Sequence, residues 1–306
     1  MGIEEFCEKV INELQELVSA DTDIQMQKVY KNNGLCLYGI VIRYVNEICT
    51  PQIYVNDYFQ SYQNGKKSIT QIAKEVLKLR KSMEQEKIEP ITDLRWENVK
   101  DKVFCRLVNL QMNQKKIEHI PHRTYLDFAI TCRLLHLVDY NGMASSEIGY
   151  GELELMGVTE EELFNQALLN TERLFPVEFR PMVSVLEKNL KNQNAPDSLI
   201  KESLDLEEMQ EKVNMYVLSN TTGVNGAMTI LYEDILKQIA IQLKTEILYL
   251  LPSSVHEWIV LLGCDDVAFL KDLVENVNYT EVPDMDVLSY HVYRYDSSTD
   301  MVEIAA

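Results

Sequence analysis

Basic residues are scarce in this chain: 29 Lys and Arg stand against 48 Asp and Glu, a formal net charge of −19. Affinity for nucleic acid and for anionic lipid depends on Lys and Arg neutralising phosphate, so the shortage argues against both as partners of the molecule as a whole. Long apolar runs are also missing. No stretch approaches the ~18 residues that cross a bilayer, and the opening MGIEEFCEKV is acidic and amphipathic, unlike a secretory leader. Gly2 invites comparison with a myristoylation signal, but Phe6 stands where that motif needs Ser or Thr. The six cysteines (Cys7, Cys36, Cys49, Cys105, Cys132 and Cys264) show no CxxC and no regular spacing. In a chain of this length that pattern indicates free, mostly buried thiols in a reducing compartment. The expectation is a soluble, cytoplasmic protein. GxSxG, GxGxxG, internal repeats and low-complexity tracts are absent as well.

What is present is ordinary globular material. Apolar residues make up 46% and charged residues 25%, and 306 residues imply roughly two domains. Charge is unevenly spread. Residues 66–123 hold 14 basic and 8 acidic side chains, a net of +6, while residues 246–306 hold 12 acidic and 2 basic, a net of −10. The basic stretch suits either an anion groove or a solvated face, and the two segments could also face each other.

Ile3, Phe6, Cys7, Val10, Ile11, Leu14, Leu17 and Val18 recur at helical spacing. Two β-rich runs then flank Asn32-Asn33-Gly34, a strong hairpin signal. The next stretch is expected to remain extended to about Asn56, with an aromatic-rich segment closing at Asn64-Gly65. A second helix follows over Ile69–Leu79, capped by Ser68. KSMEQEKIEP is the linker candidate, giving lobes at 1–90 and 91–306. Beyond it, 103–110 and 124–135 read as strands, and 159–175 reads as a helix with a Thr159/Glu162 capping box. The polar residues 191–211 read as a loop or surface helix. MYVLSN (215–220) reads as a strand passing through TTGVNG into a helix carrying Ile230, Leu231, Ile235, Leu236 and Ile239. ILYLL and HEWIVLL read as strands, Val267–Val277 as a helix and VLSYHVYRYD as a late strand. The expected class is α+β, with mixed, largely antiparallel sheets and flanking helices in two packed lobes.

Chemistry concentrates at LPSSVHEWIVLL (251–262), where Ser253, Ser254, His256 and Glu257 crowd the mouth of an apolar run. A hydrolase would need a partner from another element, such as His122 or Asp127, within about 3 Å. The structural alternative makes Pro252-Ser253-Ser254 a turn with capping serines, and His256 a largely buried ring bonded to a neighbouring element. Thr222, Gly223, Asn225 and Gly226 lie between a strand and a helix, where a helix N-terminus could hold an anion. No lysine follows them, and a turn explains the glycines equally well. His119 and His122 could share a metal, although Pro121 pushes Ile120 towards an extended conformation. Tyr54, Tyr58, Tyr62, Tyr290, Tyr293 and Tyr295 suit either a binding surface or half-buried strand positions.

The ordered set KNNG, TPQIYVNDYFQSYQNG, NTERLFP, YVLSN, LPSSVHE and VLSYHVYRYD resembles a family of cytoplasmic proteins from Gram-positive anaerobes known as a domain of unknown function. The likeness runs from near Lys31 to near Asp296. It implies an intracellular bacterial protein of one recurring architecture, and brings no activity, cofactor or catalytic residue with it. The reading that follows is a non-catalytic interaction or regulatory protein with a protein partner and no cofactor. The alternatives are the hydrolase corner and an anion or nucleotide site at Thr221–Gly226 assisted by the basic middle segment.

Overall fold

In the computed structural model the fold is α+β, with every strand pairing antiparallel. The structure describes residues 1–45, 47, 50–83, 91–139, 142–192, 214–263 and 266–306. Most of the linker candidate, nearly all of the polar 191–211 stretch, Cys49 and Cys264 lie outside these. The chain divides into two compact units, Met1–Ile91 and Thr92–Ala306.

The first unit opens with α1 (Ile3–Leu17), whose Phe6, Cys7, Val10 and Leu14 are buried at the predicted helical spacing. β1 (Asp23–Tyr30) and β2 (Cys36–Arg43) form the hairpin. Asn33 and Gly34 both take positive φ in its turn, as the Asn-Gly signal requires. β3 (Gln52–Tyr54) ends the extended stretch earlier than expected, because the aromatic segment is itself a helix, α2 (Asn56–Gln63). Tyr58, Phe59 and Tyr62 use helical spacing to pack on the core. α3 (Ile69–Met83) follows, with Ser68 and Gln71 exchanging cap hydrogen bonds.

The second unit runs α4 (Trp96–Val99), β4 (Val103–Asn109), α5 (Gln114–Ile117), β5 (His122–Tyr125), β6 (Phe128–Asp139), β7 (Gly142–Glu147), α6 (Tyr150–Met156), α7 (Glu160–Leu174), β8 (Val177–Pro181), α8 (Met182–Asn192) and β9 (Met215–Asn220). It continues with α9 (Ile235–Leu243), β10 (Ile247–Ser254), β11 (Glu257–Leu261), α10 (Val267–Thr280), β12 (Tyr293–Asp296) and β13 (Met301–Ile304). A four-stranded sheet is built around β6, and a six-stranded sheet has the order β13-β12-β10-β11-β9-β8. The Thr159/Glu162 capping box opens α7.

Four local expectations change. The run 124–135 is not one strand: Leu126 takes φ 52, and the chain turns there into a β5–β6 hairpin. TTGVNG leads into a six-residue 3₁₀ turn (Gly226–Leu231), so the true helix starts only at Ile235. LPSSVHEWIVLL is a hairpin whose turn is Val255-His256, not a strand preceded by a Pro-Ser-Ser turn. The late strand is confined to Tyr293–Asp296.

Candidate functional site

The β10–β11 hairpin presents two faces. Leu251 pairs with Ile259, and both point towards α10, where Leu270, Leu273 and Val274 join them in one apolar cluster. Trp258 points the other way, edge-on to Phe128 and Tyr293, with its indole N–H donating to the Ala227 carbonyl at 2.7 Å. Alternation therefore places Ser253 and Glu257 on the α10 side. There they line a groove of 330 Å³ with Met182, Met215, Leu251, Pro252, Ile259, Leu273, Val274 and Val277. Its walls are aliphatic and its sulfurs are adaptable. Its one carboxylate, Glu257, makes a long 3.4 Å contact with the Ser253 hydroxyl and no ion pair among the described residues. A half-buried carboxylate facing aliphatic walls favours a ligand that is apolar along its length and cationic at one end.

Ser254 and His256 stand outside this groove. The His256 ring accepts the Asn225 amide on Nδ1 at 3.0 Å, which puts its proton on Nε2, 3.5 Å from Asp286 Oδ1. Ser254 Oγ accepts the His256 amide, and the His256 carbonyl accepts from Ser219 Oγ. Both ring nitrogens thus face protein groups, and neither faces a hydroxyl. The ring is bonded to neighbouring elements as expected, yet a third of the side chain (34%) is exposed, so it is half-buried where burial was expected.

Thr222, Gly223, Asn225 and Gly226 lie in a loop organised by Asn220 and tied to the β10–β11 turn. The amides from Thr221 to Asn225 all donate within the protein, to Pro176 O, Asn220 Oδ1, Asn220 O, Thr222 Oγ1 and His256 Nδ1 in turn. A Cβ on Gly226 would collide with the His256 carbonyl and the Ser219 hydroxyl. This glycine therefore serves close backbone packing, and the N–H groups of Thr221–Asn225 are already occupied.

His119 is exposed in the turn after α5, while His122 begins β5 with Nδ1 on the Ile120 carbonyl at 3.1 Å. The two histidines sit on different elements. Among the described residues no group of three or more His, Cys, Asp or Glu could hold a metal ion.

One constellation escaped the sequence reading. Asp127, in the β5–β6 turn, accepts from Ser289 Oγ at 2.9 Å and lies 3.0 Å from His291 Nδ1. The Tyr293 hydroxyl is 2.6 Å from its other oxygen. Burial, then the neighbouring carboxylate, raises the Tyr293 phenol above its ordinary range. Ser289 Oγ lies 3.5 Å from His291 Nδ1, but that nitrogen already faces Asp127 at 3.0 Å and Ser289 donates to the same carboxylate at 2.9 Å. The shared carboxylate therefore joins the two sheets, and His291 Nδ1 is not left to act as a base on the serine. The signal was available: Ser289, His291 and Tyr293 recur at a spacing of two in VLSYHVYRYD, which puts them on one side of an extended segment.

The model of a family described as "Family of unknown function (DUF5688)" matches residues 3–297, and the chain belongs to that family. No curated protein and no solved structure matches it. No helix among the described residues is long and apolar enough to cross a membrane.

Proposed function

We propose that this is a non-catalytic binding protein of the bacterial cytoplasm, acting as two lobes, 1–90 and 91–306, that takes a basic, apolar segment of a protein partner in the groove beneath α10. Glu257 carries the reading. It is a half-buried carboxylate without an ion pair among the described residues, set among aliphatic side chains. A Lys-like chain supplies what the groove lacks: methylenes for the walls and an ammonium for the carboxylate. The net charge of −19 favours the approach of basic partners and disfavours nucleic acid. The engaged ring nitrogens of His256 and the occupied amides of Thr221–Asn225 support binding over hydrolysis or phosphate capture at those two sites.

The test is native co-purification of the full chain beside Glu257→Lys and Val277→Asp, two substitutions at half-buried groove positions. The wild type is expected to retain a stoichiometric partner. Both variants should lose it with unchanged circular dichroism, and octylamine should displace it where octanoate does not. Recovery of the wild type alone, or a partner that survives both substitutions, would overturn the proposal.

A further inference from the structure

A second site lies on the four-stranded sheet, away from the groove. Arg106 on β4 stands opposite Thr131 on β6, and Thr131 stands opposite His122 on β5. Directly opposed residues share a face, so these three form a row across the sheet. Arg133, two residues along β6, shares that face and is a diagonal neighbour of Arg106, at about 7–8 Å between backbones. Arg133 is held in place: its Nε donates to Ser145 Oγ at 2.9 Å and its Nη2 to Ser145 O at 2.8 Å. Its Nη1 lies 3.7 Å from Glu147, whose carboxylate also takes Lys116 at 2.5 Å. One carboxylate thus serves two cations.

Arg106 has no such partner. Among the described residues its guanidinium makes no hydrogen bond and no ion pair, and its Nε is buried without an acceptor. Burial, with Arg133 as the next cause, lowers its pKa to about 10, against a partial pull from Asp286 and Glu147. Asp286 itself is 3.5 Å from His256. Counting Asp286 with Glu147, Arg106, Arg133 and Lys116 stand against two carboxylates, which leaves a net positive charge around a buried guanidinium in a protein that is acidic overall. Buried charge of this kind is unfavourable until an opposite charge arrives. His122, at the end of the row, also lines a largely apolar cavity of 420 Å³ with Leu110, Gln111, Gln114, Ile117, Glu118 and Asp127. Its mainly apolar surface suits the flat face of an uncharged body, while its carboxamides and carboxylates can meet hydroxyl groups and repel a second anion.

We infer that this cluster binds the phosphate of a small phosphate monoester, the phosphate at Arg106 and Arg133 and the uncharged, hydroxyl-bearing body in the cavity beside His122. An anionic phosphate matches the uncompensated positive charge, and guanidinium forks match its oxygens.

Thermal melts and titration calorimetry of the full chain with inorganic phosphate, glucose 6-phosphate and glucose, at matched ionic strength, test the site. Both phosphates should raise the melting temperature and glucose alone should not, with glucose 6-phosphate binding about tenfold tighter than inorganic phosphate or better. Arg106→Gln should abolish the response while raising the melting temperature of the unliganded chain, because it removes an uncompensated buried charge. A purely structural arginine would give the opposite shift. If Arg106→Gln does not fold, Arg106→Lys keeps the charge without the fork and should bind phosphate about tenfold more weakly. Absence of any phosphate response, undiminished binding in these variants, or glucose 6-phosphate no tighter than inorganic phosphate would each refute the assignment.

Discussion

Tyr293 and Asp127 meet at 2.6 Å between the two sheets of the C-terminal unit, the phenol donating to a carboxylate already engaged by Ser289 and His291. The aromatic body of Tyr293 is fully buried against Phe128 and Trp258. Polar and apolar contacts therefore coincide at one residue. Tyr293→Phe keeps the packing and deletes the hydrogen bond to a charged acceptor, so a loss of about 1.5–3 kcal/mol is expected. In a domain of this size each kcal/mol lowers the melting temperature by about 2–4 °C. Asp127→Ala should be worse, because it removes the acceptor that Ser289, His291 and Tyr293 share. If Asp127→Ala melts no lower than Tyr293→Phe, the carboxylate does not join the sheets.

Alkali should unfold the chain progressively. Burial raises the Tyr293 and Tyr232 phenols above their ordinary 10.0, and raises the Cys7 thiol from 9.0 to about 11. The folded state holds these protons more tightly than the unfolded state does. Their stabilisation is therefore complete below pH 9 for the thiol and below pH 10 for the phenols, and is lost as pH rises past those values. The Cys7 contribution stops changing above about 11. Urea midpoints measured from neutral to strongly alkaline pH should fall, with a shallower fall in Tyr293→Phe. Midpoints that stay level throughout would contradict this.

Two glycines of the TTGVNG loop should respond differently. Gly226→Ala places a methyl against the His256 carbonyl and Ser219, and such overpacking costs about 1–3 kcal/mol or more. Gly223 has open space around it and takes φ 67, so alanine there meets only the backbone penalty, about 1 kcal/mol. Denaturation of the two variants side by side gives the comparison. Equal losses would show that the loop is not held by contact with the β10–β11 turn.

Local periodicity carried most of the fold. The stripe of α1, the Asn33-Gly34 turn and the Thr159/Glu162 cap each follow from neighbours in sequence, and all three stand in the structure. The run 124–135 was misread because alternation continues through Leu126, whose positive φ has no glycine or asparagine to announce it. The groove was half legible. Ser253 and Glu257 attracted notice for their chemistry, but their wall includes Met182, Val274 and Val277, which only tertiary packing brings together. Arg106 looked like any strand arginine. Its distinction is that, among the described residues, its guanidinium has no partner across three strands, which no spacing along the chain reveals.

His256 separates structure from function at the corner that drew attention first. Its ring holds the Asn225 amide, its own amide is held by Ser254 and its carbonyl by Ser219, so it fastens the Thr221–Gly226 loop to the β10–β11 turn. Alanine keeps the two main-chain bonds and deletes the ring acceptor, leaving the Asn225 N–H without a protein partner. The expected loss is about 1–3 kcal/mol, a melting temperature lower by several degrees. Because the groove is lined by Ser253 and Glu257 but not by His256, partner capture should match that of the wild type. A His256→Ala chain that melts normally yet loses its partner would make this ring part of the binding site; the loop it holds in place argues for the cooler melt.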